Sequence, residues 1–287
     1  MCQLLGMNCN VPTDICFSFA GFQARGGGTD VHADGWGIGF FEARPGGEAE
    51  VARGCRVFLD PQPSAASPIA QLVRDYPIRS MNVIAHIRKA TQGIVALENT
   101  HPFQRELWGR YWLFAHNGNL PAEAAVLPDA ARYRPVGNTD SERAFCHLLD
   151  RLETRFGRVP PDDAALFDAV AAWAREVGAT GECNFLLSNG EWLFAHASTR
   201  LACIVRKAPF AKAHLKDEDL TVDFSEVTTP NDRVAVIATT PLTDNEAWTE
   251  IAPGSLWLFR DGEPVRKATT IPGPPKKPVV PAAPETH

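Results

Sequence analysis

Two amphipathic segments in the middle of the chain separate its strand-like sequence into an N-terminal and a C-terminal run. Residues 141–156 and 162–177 each place Leu, Phe and other apolar side chains at helical spacing. Asp140 or Ser141 is the expected N-cap of the first helix, because short polar side chains accept hydrogen bonds from exposed backbone N–H groups. Strands, then two helices, then strands predict two sheets with helices packed outside them. We therefore expect an α+β fold.

Short apolar runs mark the expected strands. Before the two helices they are residues 3–7, 36–41, 82–86 and 111–115, and after them 184–187, 192–195, 201–205, 234–238 and 255–259. Two shorter helices are expected at residues 15–22 and 69–73. The turn and hairpin signals are residues 8–13, Gly46-Gly47, Asn117-Gly118, Asn189-Gly190 and Asp261-Gly262.

Composition excludes several classes of protein. The chain has 287 residues, 45% of them hydrophobic, which suffices for a sizeable core. A net charge of -6 provides no basic field for nucleic acid. No apolar stretch approaches the ~18 residues of a membrane helix, and the N-terminus lacks the pattern of a secretory signal. Seven cysteines without a C-x-x-C pair predict a reduced, cytoplasmic protein without a zinc ribbon.

Proline changes the character of the chain after residue 271. Residues 272–287 contain six prolines and no aromatic residue. Such a composition favours an extended, mobile tail over a packed segment. We therefore expect one folded domain at residues 2–271 and a Pro-rich disordered tail at 272–287.

Cys2 becomes the N-terminal residue when Met1 is removed. Its thiol is a strong nucleophile once deprotonated, and its α-amino group, titrating near pH ~8, is a usable base at neutral pH. Nucleophile and base then share one residue, as they do in N-terminal threonine nucleophiles. The alternative is that Cys2 is a small buried residue opening a strand.

Several polar residues follow predicted strands and add groups suited to catalysis or binding. Arg88 carries a fork that matches a carboxylate, although an ion pair at a strand end is the alternative. Thr91 adds a hydroxyl group. The Asn117 side chain and the Gly118 N–H can both point at one oxyanion, or they can form an ordinary turn. Asp140 can receive an ammonium group or cap a helix.

Together with Cys2, these residues make a set suited to the side-chain amide of an amino acid. Arg88 would hold the α-carboxylate, and Asp140 would hold the α-ammonium group. Cys2 would attack the amide carbon, while Asn117 and Gly118 would stabilise the oxyanion. The sequence therefore indicates an amidohydrolase.

Five sequence motifs occur in the order found in one enzyme family. They are Met1-Cys2, AHIRKAT at 85–91, NTHPF at 99–103, AHNG at 115–118 and TDSE at 139–142. With these motifs the chain resembles the class II glutamine amidotransferases, which are N-terminal nucleophile (Ntn) hydrolases. The resemblance is closest to their stand-alone YafJ-type members. It extends through residues 209–210, 229–232 and 241–246, and so covers nearly everything up to about Phe259.

The resemblance implies a four-layer αββα sandwich with two mainly antiparallel sheets. It also implies that Cys2 is both nucleophile and base and that Arg88 and Asp140 are glutamine ligands. Asn117 and Gly118 would form the oxyanion hole. Residues 2–271 would be the type 2 glutamine amidotransferase domain, and no cofactor is expected.

The implied reaction is hydrolysis of the γ-amide of glutamine or of a γ-glutamyl compound. A γ-glutamyl thioester on Cys2 would release glutamate and either ammonia or an amine. Lys89 stands where an aromatic often follows the motif arginine, Gln92 stands where His can follow the threonine, and no synthase domain follows. These departures argue against ammonia channelling within the chain. They leave open the supply of ammonia to a separate ammonia-accepting protein. The alternative function is a glutaminase subunit or a non-catalytic ligand-binding module that acts with a separate partner protein.

Three histidines lie in the quoted motifs, at His86, His101 and His116. Their spacing does not match a known zinc site. We interpret them as structural hydrogen-bonding residues and expect no metal.

Overall fold

Two antiparallel sheets dominate the computed structural model, which describes residues 2–42, 54–90 and 93–273. The α-helices in these residues are α1 Cys16–Ala24, α2 Pro68–Asp75, α3 Asp140–Phe156 and α4 Asp163–Gly178. The strands are β1 Gln3–Thr13, β2 Trp36–Glu42, β3 Gly54–Asp60, β4 Ser80–Ile87, β5 Phe103–Leu107, β6 Arg110–Asn119, β7 Glu182–Ser188, β8 Leu193–Ala197, β9 Leu201–Lys207, β10 Lys212–His214, β11 Thr221–Asp223, β12 Arg233–Ala238, β13 Thr249–Ile251, β14 Ser255–Arg260 and β15 Glu263–Thr269.

Strands from both ends of the chain build the first sheet. Its seven strands have the order β13-β9-β12-β1-β4-β2-β3, so β1 is central, between β12 and β4. The second sheet has six strands in the order β15-β14-β8-β7-β6-β5. All pairings between neighbours in the two sheets are antiparallel. A small pair, β10 and β11, stands apart from them.

Alternating side chains on the strands separate the fold into layers. Leu4 and Leu113, from the two different sheets, share the core between the sheets. Leu5 points to the opposite face of β1 and joins a second core that contains Phe19 of α1. Phe114 likewise faces away from the intersheet core and packs against α3 and α4. The four-layer αββα sandwich expected from the sequence is therefore confirmed.

The two central helices match their predicted extents to within one residue, but the predicted cap of α3 is wrong. Thr139, not Asp140 or Ser141, is the N-cap, and its hydroxyl oxygen accepts from Glu142 N at 3.2 Å. Thr139 has an extended backbone that aims its side chain at the first turn, so Asp140 becomes the first helical residue. Asp140 is thereby freed from the capping role.

Two predicted turns are strand residues in the structure. Residues 8–13 continue β1 through an irregularity in its pairing with β4, because Asn8 finds buried partners in the Asn82 side chain and in the Gly262 N–H. The dipeptide Asn117-Gly118 lies inside β6, where β7 pairs with it residue by residue. Pairing with distant strands therefore overrides the local turn signal at both places.

Two of the other turn signals, at Asn189-Gly190 and Asp261-Gly262, are turns in the structure. Gly190 has φ +89° in the loop between β7 and β8. Asp261 and Gly262 have φ of +53° and +77° and join β14 to β15. The hairpin expected at Gly46-Gly47 lies outside the described residues.

The end of the described chain packs against the second sheet. Gly273 N donates to the Ser198 carbonyl oxygen at 2.8 Å. Residues 274–287 lie outside the described range, so the boundary between 271 and 272 stays a prediction. None of the described helices is long and apolar enough to cross a membrane.

Candidate active site

The Cys2 thiol lies against the backbone of the segment that follows β4. Pairing of Gln3 with Ile87 brings the start of β1 to this place. Lys89 N donates to Cys2 Sγ at 3.2 Å, and Sγ lies 3.4 Å from the Lys89 carbonyl oxygen. Burial raises the pKa of the Cys2 thiol, while the Lys89 backbone and the charge of Arg88 act in the opposite direction. A nearby base would be needed to deprotonate this thiol at neutral pH.

Asn117 is buried beside the nucleophile candidate. Its Nδ2 donates to the Cys2 carbonyl oxygen at 2.6 Å, across the gap between the two sheets. The opposite residue on β7, Asn184, donates from its Nδ2 to the Asn117 carbonyl oxygen at 2.9 Å. The Asn184 contact fixes the backbone of Asn117, and the side-chain amide of Asn117 lies directly against residue 2.

Gly118 occupies a position where any side chain would collide with the backbone. A Cβ atom there would lie 1.9 Å from the Glu182 carbonyl oxygen and 2.6 Å from His116 Nε2. This close approach of β6 to β7 requires glycine at residue 118.

Arg88 is buried, with 3% of its surface exposed. Its Nη1 donates to the Ile94 carbonyl oxygen at 2.8 Å, and its Nη2 donates to the Gly93 carbonyl oxygen at 3.3 Å. Burial lowers the pKa of Arg88, and the neighbouring acidic groups Cys2, Asp34 and Asp140 oppose that shift. The guanidinium group is therefore within electrostatic reach of the thiol and of Asp140.

Asp140 lies at the first position of α3 with both carboxylate oxygens engaged. Oδ2 accepts from Leu120 N at 2.7 Å, and Oδ1 accepts from Ser141 N at 2.8 Å. Each oxygen of a carboxylate has two acceptor sites, so these bonds orient the group without exhausting it. The charge of Asp140 also raises the pKa of the Cys2 thiol.

The structure thus brings together five of the six site residues predicted from the sequence, namely Cys2, Arg88, Asn117, Gly118 and Asp140. Thr91 lies outside the described residues. The assembled groups are a thiol, a guanidinium, a carboxamide and a carboxylate. Such a set can bind a zwitterion and attack a polarised carbonyl group.

The three motif histidines lie beneath this site in the protein interior. A ring nitrogen of His86 lies 3.1 Å from His101 Nδ1, and His116 Nδ1 lies 2.8 Å from Ser141 Oγ. Burial lowers the pKa of all three, and for His86 and His101 it falls well below the usual range. Among the residues that the structure describes, no group of three or more His, Cys, Asp or Glu could hold a metal ion.

Three polar residues near the site were missed by the sequence analysis. Asp34 Oδ2 accepts from Ala90 N at 2.8 Å and supports the segment next to Arg88. Asn99 and Asn184 are both buried, with 1% of their surface exposed. Two signals were available in the sequence: Asn184 interrupts an apolar run, and Asn99 opens the NTHPF motif.

Comparison with known proteins agrees with the resemblance. A family model described as class II glutamine amidotransferases matches residues 1–282. The YafJ protein of Escherichia coli (strain K12) is 56% identical over 265 residues, which are 92% of this chain and all of that protein. A crystal structure from Pseudomonas aeruginosa PA01, described as a predicted glutamine amidotransferase, aligns with a TM-score of 0.70 at 45% identity. This alignment covers 92% of the chain and 99% of that structure.

A more distant relative is a hydrolase by name. The γ-glutamyl-hercynylcysteine sulfoxide hydrolase of Mycobacterium tuberculosis is 29% identical over 182 residues, covering 62% of this chain and 64% of that protein. The family model and the first relative each cover most of the chain. The chain therefore belongs to the class II glutamine amidotransferases and, within that family, is a YafJ-type protein.

Proposed function

We propose that the protein hydrolyses the γ-amide of glutamine or of a γ-glutamyl compound, with the N-terminal Cys2 as nucleophile. The observation that carries the proposal is the grouping around the thiol. Lys89, the residue after Arg88, donates from its N–H to Cys2 Sγ at 3.2 Å, and Asn117 donates to the Cys2 carbonyl oxygen at 2.6 Å. The charges of Arg88 and Asp140 both act on the pKa of the thiol. Membership of the family supports an enzyme that acts on glutamine.

In the proposed first step, the α-amino group of processed Cys2 takes the thiol proton, and the sulfur attacks the amide carbon. The negative charge that develops on the amide oxygen is stabilised by the Asn117 side chain and the Gly118 N–H. The carbon–nitrogen bond then breaks, and the same proton passes to the leaving nitrogen. Ammonia or an amine departs and leaves a γ-glutamyl thioester.

In the second step, water attacks the thioester carbonyl carbon and gives up one proton to the α-amino group. The carbon–sulfur bond breaks, and the thiolate of Cys2 recovers the proton. Glutamate leaves, and the enzyme returns to its starting state. Because burial raises the pKa of the Cys2 thiol, the first step needs a base close to the sulfur, and in this proposal the α-amino group of Cys2 is that base.

Recognition of the substrate depends on its zwitterionic end. We assign the α-carboxylate to Arg88, whose fork suits bidentate binding, and the α-ammonium group to Asp140. Arg88 and Asp140 are 3% and 7% exposed, so water screens these charges weakly. Thr91 is included in the proposal as a further substrate contact.

The proposal also covers the cellular compartment of the protein and the extent of its catalytic domain. All seven cysteines are free thiols, which supports a reduced cytoplasmic setting. Residues 2–271 are proposed as the catalytic domain and 272–287 as a tail. The experiment below also tests whether glutamate release needs a separate protein that accepts ammonia.

The test is a screen of glutamine and γ-glutamyl compounds with purified protein, measuring glutamate release. Intact mass should show that Met1 is absent, and a glutamine-like electrophile should label Cys2 alone. Cys2→Ala should fold normally and release no glutamate. Cys16→Ala is the matched control, because Cys16 is also a partly buried free thiol, and burial raises its pKa to about 12.

Three results would contradict the proposal. The first is full activity in protein that retains Met1, because a peptide bond then blocks the α-amine. The second is labelling of a cysteine other than Cys2. The third is glutamate release only after another protein is added, which would support the glutaminase-subunit alternative.

A further inference from the structure

Asn99 joins two loops of the site through one buried side-chain amide. Its Nδ2 donates to the Ile94 carbonyl oxygen at 3.1 Å and to Asn138 Oδ1 at 2.9 Å. Its Oδ1 accepts from Asn138 N at 3.0 Å. Donor and acceptor ends of the amide are thus both used, and they hold residues far apart in sequence.

Each of these loops leads to one of the charged residues assigned to the substrate. The Ile94 carbonyl oxygen that accepts from Asn99 also accepts from Arg88 Nη1 at 2.8 Å. Asn138 is next to Thr139, the N-cap that starts α3, so it lies two residues before Asp140. Asn99 therefore contacts the support of the guanidinium on one side and the support of the carboxylate on the other.

The surrounding backbone closes tightly on this amide. A Cβ atom at Gly137 would lie 2.1 Å from Asn99 Oδ1. Gly93 has φ +74°, and a Cβ atom there would lie 2.6 Å from Asn138 Oδ1. Both loops need glycine here, because a side chain at residue 93 or 137 would collide with one of the two asparagine amides. The two asparagine side chains therefore set the spacing between the loops.

Glu142 fixes the second loop from the other direction. Its carboxylate accepts from Val136 N at 3.0 Å and Gly137 N at 2.7 Å, and it pairs with Arg105. Glu142 thus holds the loop before α3 through hydrogen bonds to its backbone, and Asn99 links this loop to the Arg88 segment.

We propose that Asn99 is a positioning residue that sets the separation of Arg88 and Asp140, and thereby the selectivity for a substrate with an α-amino acid end. The inference rests on the proposed function for the identity of the substrate. A zwitterion has a fixed distance between its charges, so a small error in the separation of the two partners weakens both contacts at once.

The kinetic test compares wild type with Asn99→Ala. The KM for glutamine should rise about tenfold, which corresponds to ~1.4 kcal/mol, while kcat changes by less than about threefold. The reason is that the zwitterionic end is held equally in the ground state and the transition state. In an Arg88→Ala background, Asn99→Ala should raise KM by a smaller factor than in wild type, because one of the two residues that it supports is gone.

A second variant guards against misfolding, and a third is the control. Asn138 is exposed, so Asn138→Ala should fold, and it removes one bond to Asn99 on the Asp140 side. Asn138→Ala should raise KM for glutamine but not for an analogue of glutamine that lacks the α-amino group. Thr100→Val is the matched control, because the buried Thr100 hydroxyl bonds to the Ala96 carbonyl oxygen in the same turn.

A measurement without substrate separates this inference from the proposed function. Because Arg88 Nη1 and Nη2 donate to different carbonyl oxygens, ¹⁵N NMR of the free protein should show slow rotation of its guanidinium group. Asn99→Ala should speed the rotation, while Thr100→Val should not.

The outcomes decide as follows. Unchanged KM and unchanged Arg88 rotation in Asn99→Ala would overturn the inference. The inference would also be overturned if Asn99→Ala lost the same factor of activity on every substrate analogue and Thr100→Val lost as much. That result would indicate general structural damage. Absence of glutamate release by wild type would refute the proposed function instead, and the Arg88 rotation rate would still show whether Asn99 holds that side chain.

Discussion

Substitution of the two charged residues should produce a crossed pattern of substrate preference. Arg88→Gln and Asp140→Asn each remove one charge; Asp140→Asn keeps the volume of the side chain, whereas Arg88→Gln also shortens it. At about 4 Å and an effective dielectric constant near 20, one charge pair contributes about 4 kcal/mol. Water that enters the altered site recovers part of this loss. The expected fall in kcat/KM for glutamine is therefore about 30- to 1,000-fold, or ~2–4 kcal/mol.

Asp140 needs a separate structural control because its carboxylate also organises the backbone. Leu120 N and Ser141 N both donate to it, so Asp140→Asn leaves one of these N–H groups facing an amide NH2 or rotated away from it. Melting temperatures and urea unfolding of both variants measure this cost directly. The substrate pattern, by contrast, is a ratio within one variant and does not depend on how much of the protein is folded.

The assay measures release of the γ-carboxylic acid from three γ-amides. They are glutamine, the same compound without its α-amino group, and the same compound without its α-carboxylate. Wild type should lose about 30- to 1,000-fold on either truncated compound. Asp140→Asn should distinguish glutamine from the des-amino compound by less than about threefold, and Arg88→Gln should do the same for the des-carboxy compound. Equal losses by both variants on all three compounds would show that these residues support the fold, and the assignment of the substrate would lose its basis.

Three further predictions concern the oxyanion site and the core. Asn117→Ala should lower kcat by about 10²–10³-fold with a smaller change in KM, because the charge develops only in the transition state; unchanged single-turnover rates would remove Asn117 from the oxyanion hole. Gly118→Ala should reduce both activity and melting temperature, since its Cβ would lie 1.9 Å from the Glu182 carbonyl oxygen, and a variant with wild-type values of both would contradict the packing described. Burial lowers the pKa of His196 to about 4, below the ~6.5 of the unfolded chain, so the unfolded state takes up the proton first and stability falls as pH drops from ~6.5 towards ~4. Between pH 7 and 4.5, the free energy of unfolding measured in urea should fall by roughly 2–3 kcal/mol less in His196→Asn than in wild type. Equal falls in the two proteins would show that His196 does not cause this loss of stability.

Local sequence patterns predicted the elements that depend on local contacts. The helices α3 and α4 follow from apolar spacing, and the Asp261-Gly262 hairpin follows from residues that tolerate positive φ. The cap of α3 was misplaced by one residue because Thr139, Asp140 and Ser141 are all suitable capping residues by type. Only the backbone direction before the helix selects Thr139.

Distant strand pairing could not be predicted from the same patterns. Asn117-Gly118 has the composition of a tight turn, yet β7 pairs with it and keeps it extended. Among the candidate site residues, Arg88 stands out because its charge follows an apolar run, and Asp140 stands out because it lies in the TDSE motif at the start of a predicted helix. The role of Asn99 could not be predicted, since it depends on Ile94 and Asn138, which only the folded chain brings within hydrogen-bonding distance.

The central place of β1 also has a consequence for the order of events during synthesis. Residue 2 is among the first to leave the ribosome, but the strands on either side of it are β4 and β12, and β12 begins at Arg233. At roughly 5–20 residues per second, the last of these neighbours emerges about 12–46 s after the N-terminus. Until β12 emerges, one edge of β1 lacks its partner strand, so removal of Met1 can precede completion of the sheet around Cys2. Translation itself would then time the maturation of the proposed nucleophile, without a dedicated processing step after folding.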